Sequence, residues 1–263
     1  MGSKDLSMVS LALTLVLLLI PLLFNYFLGL GIGKKSLIAV LRMCVQLFLI
    51  GYFLGYIFDL NNSWLNFLWL FVMIIVSTIS IVNSCSLKFK VFLWPILISV
   101  ALPVILMCLY FNRFIVRLDN IFDAKYLIAI GGMILGNMLS GNIVGLNHFF
   151  NNVRKMEKKY LAVLALGADR KEALLPHVRE SILAAVNPTI ASTATIGLVS
   201  LPGMMTGQIL GGASPVVAVK YQMAIMIAIF ITRILSIYIA LYLTQQTAFD
   251  AYDVLRKEIF KDK

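Results

Sequence analysis

The sequence predicts an all-α, polytopic membrane protein with about seven transmembrane helices. Three observations carry this. The 263 residues are 61% hydrophobic and 13% charged, with a mean hydropathy of +0.95, whereas an average soluble domain is about half apolar. Apolar runs of roughly 20 residues, the length that crosses a bilayer as a helix, recur along the whole chain. The basic residues are distributed unevenly between those runs.

The candidate spans cover about 9–30, 36–58, 64–83, 91–111, 124–146, 182–205 and 221–244, with 182–205 the least regular. They form one transmembrane domain over 1–263, interrupted by a cytoplasmic segment at about 147–181. The first run is too long for a signal-peptide core, and no small-residue cleavage site follows it, so it is expected to remain as a span. The GLGIGKKS turn after it is not a phosphate loop. Lys35 separates Gly33-Lys34 from Ser36, and a long apolar helix precedes it instead of a strand. The second span, LRMCVQLFLIGY, carries Arg42 about two turns in, where it either snorkels to headgroups or bonds Gln46 one turn on. The fifth, GGMILGNMLSGNIVG, spaces Gly132, Gly136 and Ser140 by four and adds Asn137 and Asn142. Small residues at that spacing let helices approach closely in lipid.

The segment NNVRKMEKKYLAVLALGADRKEALLPHVRESI reads as helix, turn, helix. Gly167 suits a left-handed C-terminal cap. Asp169 and Glu172 have the spacing of a capping box. Pro176 is expected to kink the second helix. Either this segment docks on a soluble partner, burying Leu164, Leu166, Ala168, Ala173 and Leu174 with Arg170, Lys171 and Arg179 at the rim, or it lies on anionic lipid.

At the end of the sixth span and beyond it, LVSLPGMMTGQILGGASP places Gly203, Gly207 and Gly211 every fourth residue. Ser200 to Gly203 should break the span, with Pro202 in the first turn of a short helix. The glycines then form either a packed seam or part of a gate, and the fifth span is the expected neighbour of 195–212. Arg233 falls near the middle of the seventh span. An unpaired charge there is costly, so it should face the bundle, a wet space or polar groups near Gln222.

The charges set an orientation. If 147–181 is cytoplasmic, the inside segments carry Lys34, Lys35, Lys88, Lys90, Arg154, Lys155, Lys158, Lys159, Arg170, Lys171, Arg179, Arg256, Lys257, Lys261 and Lys263. The outside segments carry only Lys4, Arg113, Arg117, Lys125 and Lys220. This is the positive-inside pattern, with the N-terminus outside and the C-terminus cytoplasmic. It accounts for the net charge of +10 without nucleic acid. The spans hold no Asp or Glu, which disfavours a self-contained proton-coupled carrier. No HExxH and no Ser/His or paired-Asp constellation points to an enzyme. Energy for uphill transport therefore has to come from a partner.

The runs LALGADRKEALLPHVRESI and GLVSLPGMMTGQILGGASPVVAVKYQ, with Arg42, Gln46 and Gly51 in LRMCVQLFLIGY, resemble the FetB-type family of ABC exporter membrane subunits. That family is linked to iron, and plant aluminium-tolerance membrane subunits are related to it. The similarity covers about residues 10–245, and Arg233 lies outside the family pattern. The resemblance implies a permease dimer in the cell (inner) membrane. It implies a cytoplasmic ABC ATPase that binds ATP and Mg, with no cofactor in this chain. It also implies coupling through Leu166, Gly167, Ala168, Asp169 and Arg170, and export of iron or a related metal. The weak metal candidates are Met204, Met205, Met133, Met138 and Cys44. Methionine and cysteine suit a soft ion, whereas iron usually takes carboxylate, imidazole or thiolate. His148 and His177 read as structural or docking residues, and Asp119 and Asp123 as solvated loop residues that a hard cation would meet on exit. Two other readings stay open. One is an ABC permease for an anionic small molecule such as a nucleotide sugar, favoured by Arg42 and Arg233. The other is a membrane scaffold that recruits a cytoplasmic partner.

Overall fold

A computed structural model describes residues 7–260. Lys4, Lys261 and Lys263 of the charge pattern lie outside these residues. In chain order the helices are α1 (Met8–Val16), α2 (Leu19–Phe27), α3 (Gly33–Leu60), α4 (Ser63–Ser84), α5 (Phe89–Tyr110), α6 (Ala124–Lys155), α7 (Glu157–Ala165), α8 (Arg170–Thr195), α9 (Gly203–Leu210) and α10 (Pro215–Ala248). Among the described residues, strand pairing is limited to isolated bridges.

Side chains set several of the helix starts. The Asn62 carboxamide accepts from the Trp64 and Leu65 amides at the head of α4, and Asp123 accepts from Lys125 N–H at the head of α6. Ser214 caps α10, with Pro215 at its first position, where the missing N–H would be unpaired anyway. Such caps satisfy the orphan amides of a helix start. In lipid these amides have no water to turn to.

Six helical stretches are long and apolar enough to cross a membrane: Met8–Phe27, Gly33–Leu60, Ser63–Ser84, Phe89–Ile115, Ala124–Lys155 and Pro215–Ala248. The expected 182–205 span is the exception. α8 covers only its first part, ends at Thr195, and carries Asn187, Pro188 and several hydroxyl residues. Its direction is nevertheless fixed by contacts. Asn142 bonds Ser236, and Tyr126 bonds Tyr221, so α6 and α10 run parallel. Asn152 bonds Glu180, His148 meets Ser181, and Gly145 lies against Ala185, so α8 runs antiparallel to α6. α8 therefore packs inside the bundle, antiparallel to α6, despite its polarity.

The core lies among α4, α5, α6, α8 and α10. Ile74, Val100, Ile134, Leu146, Ile225 and Ile237 are fully buried in it. The amino-terminal helices stand apart from this bundle. α1 and α2 bury no residue, and α3 buries only Ile57, which packs with Ala124 and Ile128. Arg42 and Gln46 are exposed on α3.

After α10 the chain turns back as a strap, residues 249–260. Phe249 bridges to Leu255 and Leu87 to Phe260. Lys88 N–H donates to Ile259 C=O at 2.8 Å. The Arg154 guanidinium sits 4.6 Å from the centre of the Phe260 ring. The strap thus gathers the ends of α4, α6 and α10 on the face that carries α7.

Candidate functional site

The turn between α7 and α8 is built as its residues dictate. Gly167 takes φ +96°, a backbone conformation that a side chain would strain, and its N–H donates to Leu164 C=O at 2.9 Å. Asp169 Oδ1 accepts from Glu172 N–H at 2.7 Å, and Glu172 Oε2 accepts from Asp169 N–H at 3.2 Å. The capping box read from the sequence is therefore formed. Leu166 projects from the turn with 88% of its surface exposed. An apolar side chain held out on a rigid turn is a shape that fits a groove on another molecule.

Part of the expected docking surface is not available. Ala173 and Leu174 are buried in the chain's own core, because they face inward from the first turns of α8. Leu164 and Ala168 are half-buried. The outward set is Leu166 with Asp169, Lys171 and Arg179. Arg170 is partly covered and pairs with Asp253 of the strap at 3.1 Å. A pair this exposed stabilises by less than about 1 kcal/mol, but it fixes the rim. The α8 helix continues through Pro176 to Thr195.

Asp253 sits behind the turn and holds both arms. Its carboxylate meets Arg170 of α8, and its carbonyl accepts from the Tyr160 hydroxyl of α7 at 2.8 Å. Burial, then the Asp253 carboxylate, push the Tyr160 phenol up to about 12, so it stays a donor. Tyr160→Phe is expected to cost about 1 kcal/mol, the net worth of one hydrogen bond, and to raise proteolysis at the turn; a proteolysis time course checks it. Nothing in the sequence marked this strap, because its partners lie far away in the chain.

His148 and His177 are structural here. His148 Nδ1 meets Ser181 and Asn152. His177 is buried, and burial is the main force holding it below the ordinary 6.5; Glu180 pulls it up and Lys159 pushes it down. A depressed value favours the neutral ring in the fold, so that stabilisation is present above 6.5 and is lost as pH falls below it. Thermal melts on both sides of that value should show the loss, and His177→Gln should flatten it.

The membrane half of the site differs in part from expectation. Pro202 is the residue before α9, not within its first turn. The break is longer than Ser200 to Gly203, since α8 already ends at Thr195. A Cβ at Gly203 or Gly207 would meet nothing within 4 Å, so this glycine face is unpacked within the chain. The expected seam between the fifth span and 195–212 is replaced by packing of α9 on α10. The small residues of α6 serve other neighbours. Gly141 lies against Arg233, and Gly145 against Ile237 and Ala185.

Arg233 is buried, as expected, but its partner is not near Gln222. Its NH1 donates to Thr189 Oγ1 of α8. Asn137 bonds back to Met133 C=O within α6. Asp123 is taken up by capping α6 and by accepting from Asn61 Nδ2 at 3.0 Å.

The soft-ligand candidates are dispersed. Met138 is fully buried in the core. Met133 on α6 and Met204 and Met205 on α9 are half-buried, as is Cys44 on the outlying α3. Among the described residues no three His, Cys, Asp or Glu side chains come together as a metal site.

Comparison with known proteins places this architecture. The model of the family described as "Uncharacterised protein family (UPF0014)" matches residues 8–249. The chain is 33% identical to the probable iron export permease protein FetB of Escherichia coli, over 95% of each chain. It is 31% identical to the UPF0014 membrane protein YjkA of Bacillus subtilis, covering 94% of this chain and 98% of that one. It is 29% identical to the protein ALUMINUM SENSITIVE 3 of Arabidopsis thaliana, covering 83% and 79%. No solved structure matches. With a family match over nearly its whole length and helices that suit a bilayer, the chain belongs to the UPF0014 family of multi-pass membrane proteins.

Proposed function

We propose that this chain is the membrane-spanning subunit of an ATP-driven ABC exporter that moves iron or a related metal out across the cell (inner) membrane. Two copies form the pathway. The chain crosses seven times, with the N-terminus outside and the C-terminus in the cytoplasm. A separate ATPase subunit binds ATP and Mg and docks on the turn from Leu166 to Arg170.

The observation that carries this reading is the braced turn with Leu166 exposed at its tip. The similarity to FetB over 95% of the chain supports the cargo. The unpacked glycine face of α9 supports a second copy, since small residues in lipid are useful where another helix approaches closely. Gly207→Leu is expected to leave the single chain folded, because nothing of its own lies within 4 Å, and to dissociate the dimer. Molecular mass by light scattering in detergent checks this; an intact dimer would remove α9 from the interface.

The central test reconstitutes the chain with its ATPase in sealed liposomes. ATP-dependent movement of iron, with metal-stimulated hydrolysis, is the expected result. Stimulation without movement would favour a scaffold. Movement of an anionic compound with no metal would keep the ABC architecture and discard the cargo.

A further inference from the structure

Arg233 is 7% exposed in the middle of α10, and nothing in the described chain balances its charge. The acids among the described residues gather at the two ends. Asp59, Asp119 and Asp123 lie at one end. Glu157, Asp169, Glu172, Glu180, Asp250, Asp253 and Glu258 lie at the end that carries the turn and strap. Thr189 offers Arg233 a hydroxyl, a dipole and not a charge. The guanidinium Nε has no partner. One residue along from Gly141, Asn142 spends its amide nitrogen on Met138 C=O and Ser236 Oγ, while its Oδ1 is likewise buried and unpartnered.

The position is made for this side chain. A Cβ at residue 141 would collide with Arg233 Cγ, Cδ and Nε, so Gly141 is what lets the arginine lie against α6. The outer half of α8 exposes Asn187, Ser192, Thr193 and Thr195. The Ser192 hydroxyl bonds back to Thr189 C=O within the helix at 3.0 Å. A polar helix face at this depth belongs against water or protein, not lipid. A desolvated cation lacking a counter-ion is costly, and the planar guanidinium fork matches a carboxylate or phosphate.

We propose that Arg233, with Thr189, is the counter-charge site for an oxyanion, a carboxylate or phosphate group that travels with the exported metal as its chelator. This rests on the export reading above and names the form of its cargo: an anionic complex and not a bare cation. It also removes the need for a cluster of metal ligands, because the chelator supplies them.

The test uses the purified chain, its Arg233→Met and Arg233→Lys variants, and four probes: citrate, inorganic phosphate, iron with citrate, and ferrous iron without a chelator. Thermal melts in detergent come first and need no ATPase. Citrate or phosphate should raise the wild-type Tm with saturation. Arg233→Met should bind about tenfold more weakly or worse, with Arg233→Lys between. Arg233→Met without ligand should melt no lower than wild type, since it deletes a buried charge; a purely structural arginine would give the reverse. Equal shifts in wild type and Arg233→Met, or none in wild type, overturn the proposal.

Flux through liposomes with the ATPase then separates the two ideas. Doubly labelled iron and citrate moving together supports the proposal. Movement of chelator-free iron at the same rate, unaffected by Arg233→Met, overturns it and leaves export standing. Arg233-dependent anion binding without ATP-driven movement of anything supports the site and sinks the export reading.

Discussion

Gly167→Pro is expected to abolish stimulation of the ATPase proposed above as the partner, while leaving the membrane bundle folded. Proline holds φ near −65° and lacks an N–H. Gly167 needs φ +96° and donates to Leu164 C=O. Both requirements fail together, at a local cost on the order of 3 kcal/mol. The bundle is spared because a Cβ at 167 would meet no atom within 4 Å. The damage is to direction. α7 and α8 would leave the turn at a new angle, and Leu166 and Arg170 would no longer present one surface. The measurement is ATPase rate against permease concentration, beside a thermal melt. Full stimulation with an unchanged melt would show that docking lies elsewhere. Gly167→Asn, which tolerates the left-handed region better than other side chains, should retain most of the coupling.

Gly145→Leu is expected to have the largest effect on folding itself. Here α6, α8 and α10 meet. A single Cβ would already overlap Ile237 Cδ1 and Cγ1, and would stand 3.3 Å from the Ala185 methyl. Ile237 is fully buried and cannot swing out. Overpacking of this kind costs about 1–3 kcal/mol in a well-packed core, and a whole isobutyl group between three helices belongs at or above the top of that range. The expected result is loss of monodisperse protein in detergent. Gly145→Ala still forces Ile237 Cδ1 and Cγ1 to shift, and should cost less than Gly145→Leu. Equal stability of Gly145→Leu and wild type would show that the three helices are not as close as described.

The two variants also show which features were legible in the sequence. The turn at Gly167 and the box of Asp169 and Glu172 were readable because caps are local: each residue acts on atoms within four positions. The spans were readable because lipid selects composition directly. The exception is instructive. α8 packs inside the bundle while carrying Ser181 and Thr189, since its inward face meets His148, Arg233 and the small residues of α6 and not lipid. Hydropathy measures a whole helix and cannot see which face is sheltered. Ala173 and Leu174 were misread for a related reason. Apolar residues beside an exposed turn serve a partner or the chain's own core equally well by spacing, and only packing separates the two. Arg233 was readable as a buried charge, but Thr189 as its partner was not, because hydroxyl residues are plentiful in the span and the pairing joins distant segments.

The strap over residues 249–260 has a consequence for biosynthesis. The ribosome makes the turn at Gly167 before the strap that braces it. Until Asp253 has emerged, Tyr160 and Arg170 lack the partner that holds the two arms in register. A nascent or truncated chain therefore carries every residue of the turn without holding it firmly. On the function proposed above, recruitment of an ATPase would then be postponed until α10 has been inserted, so that half-built subunits do not sequester their motor.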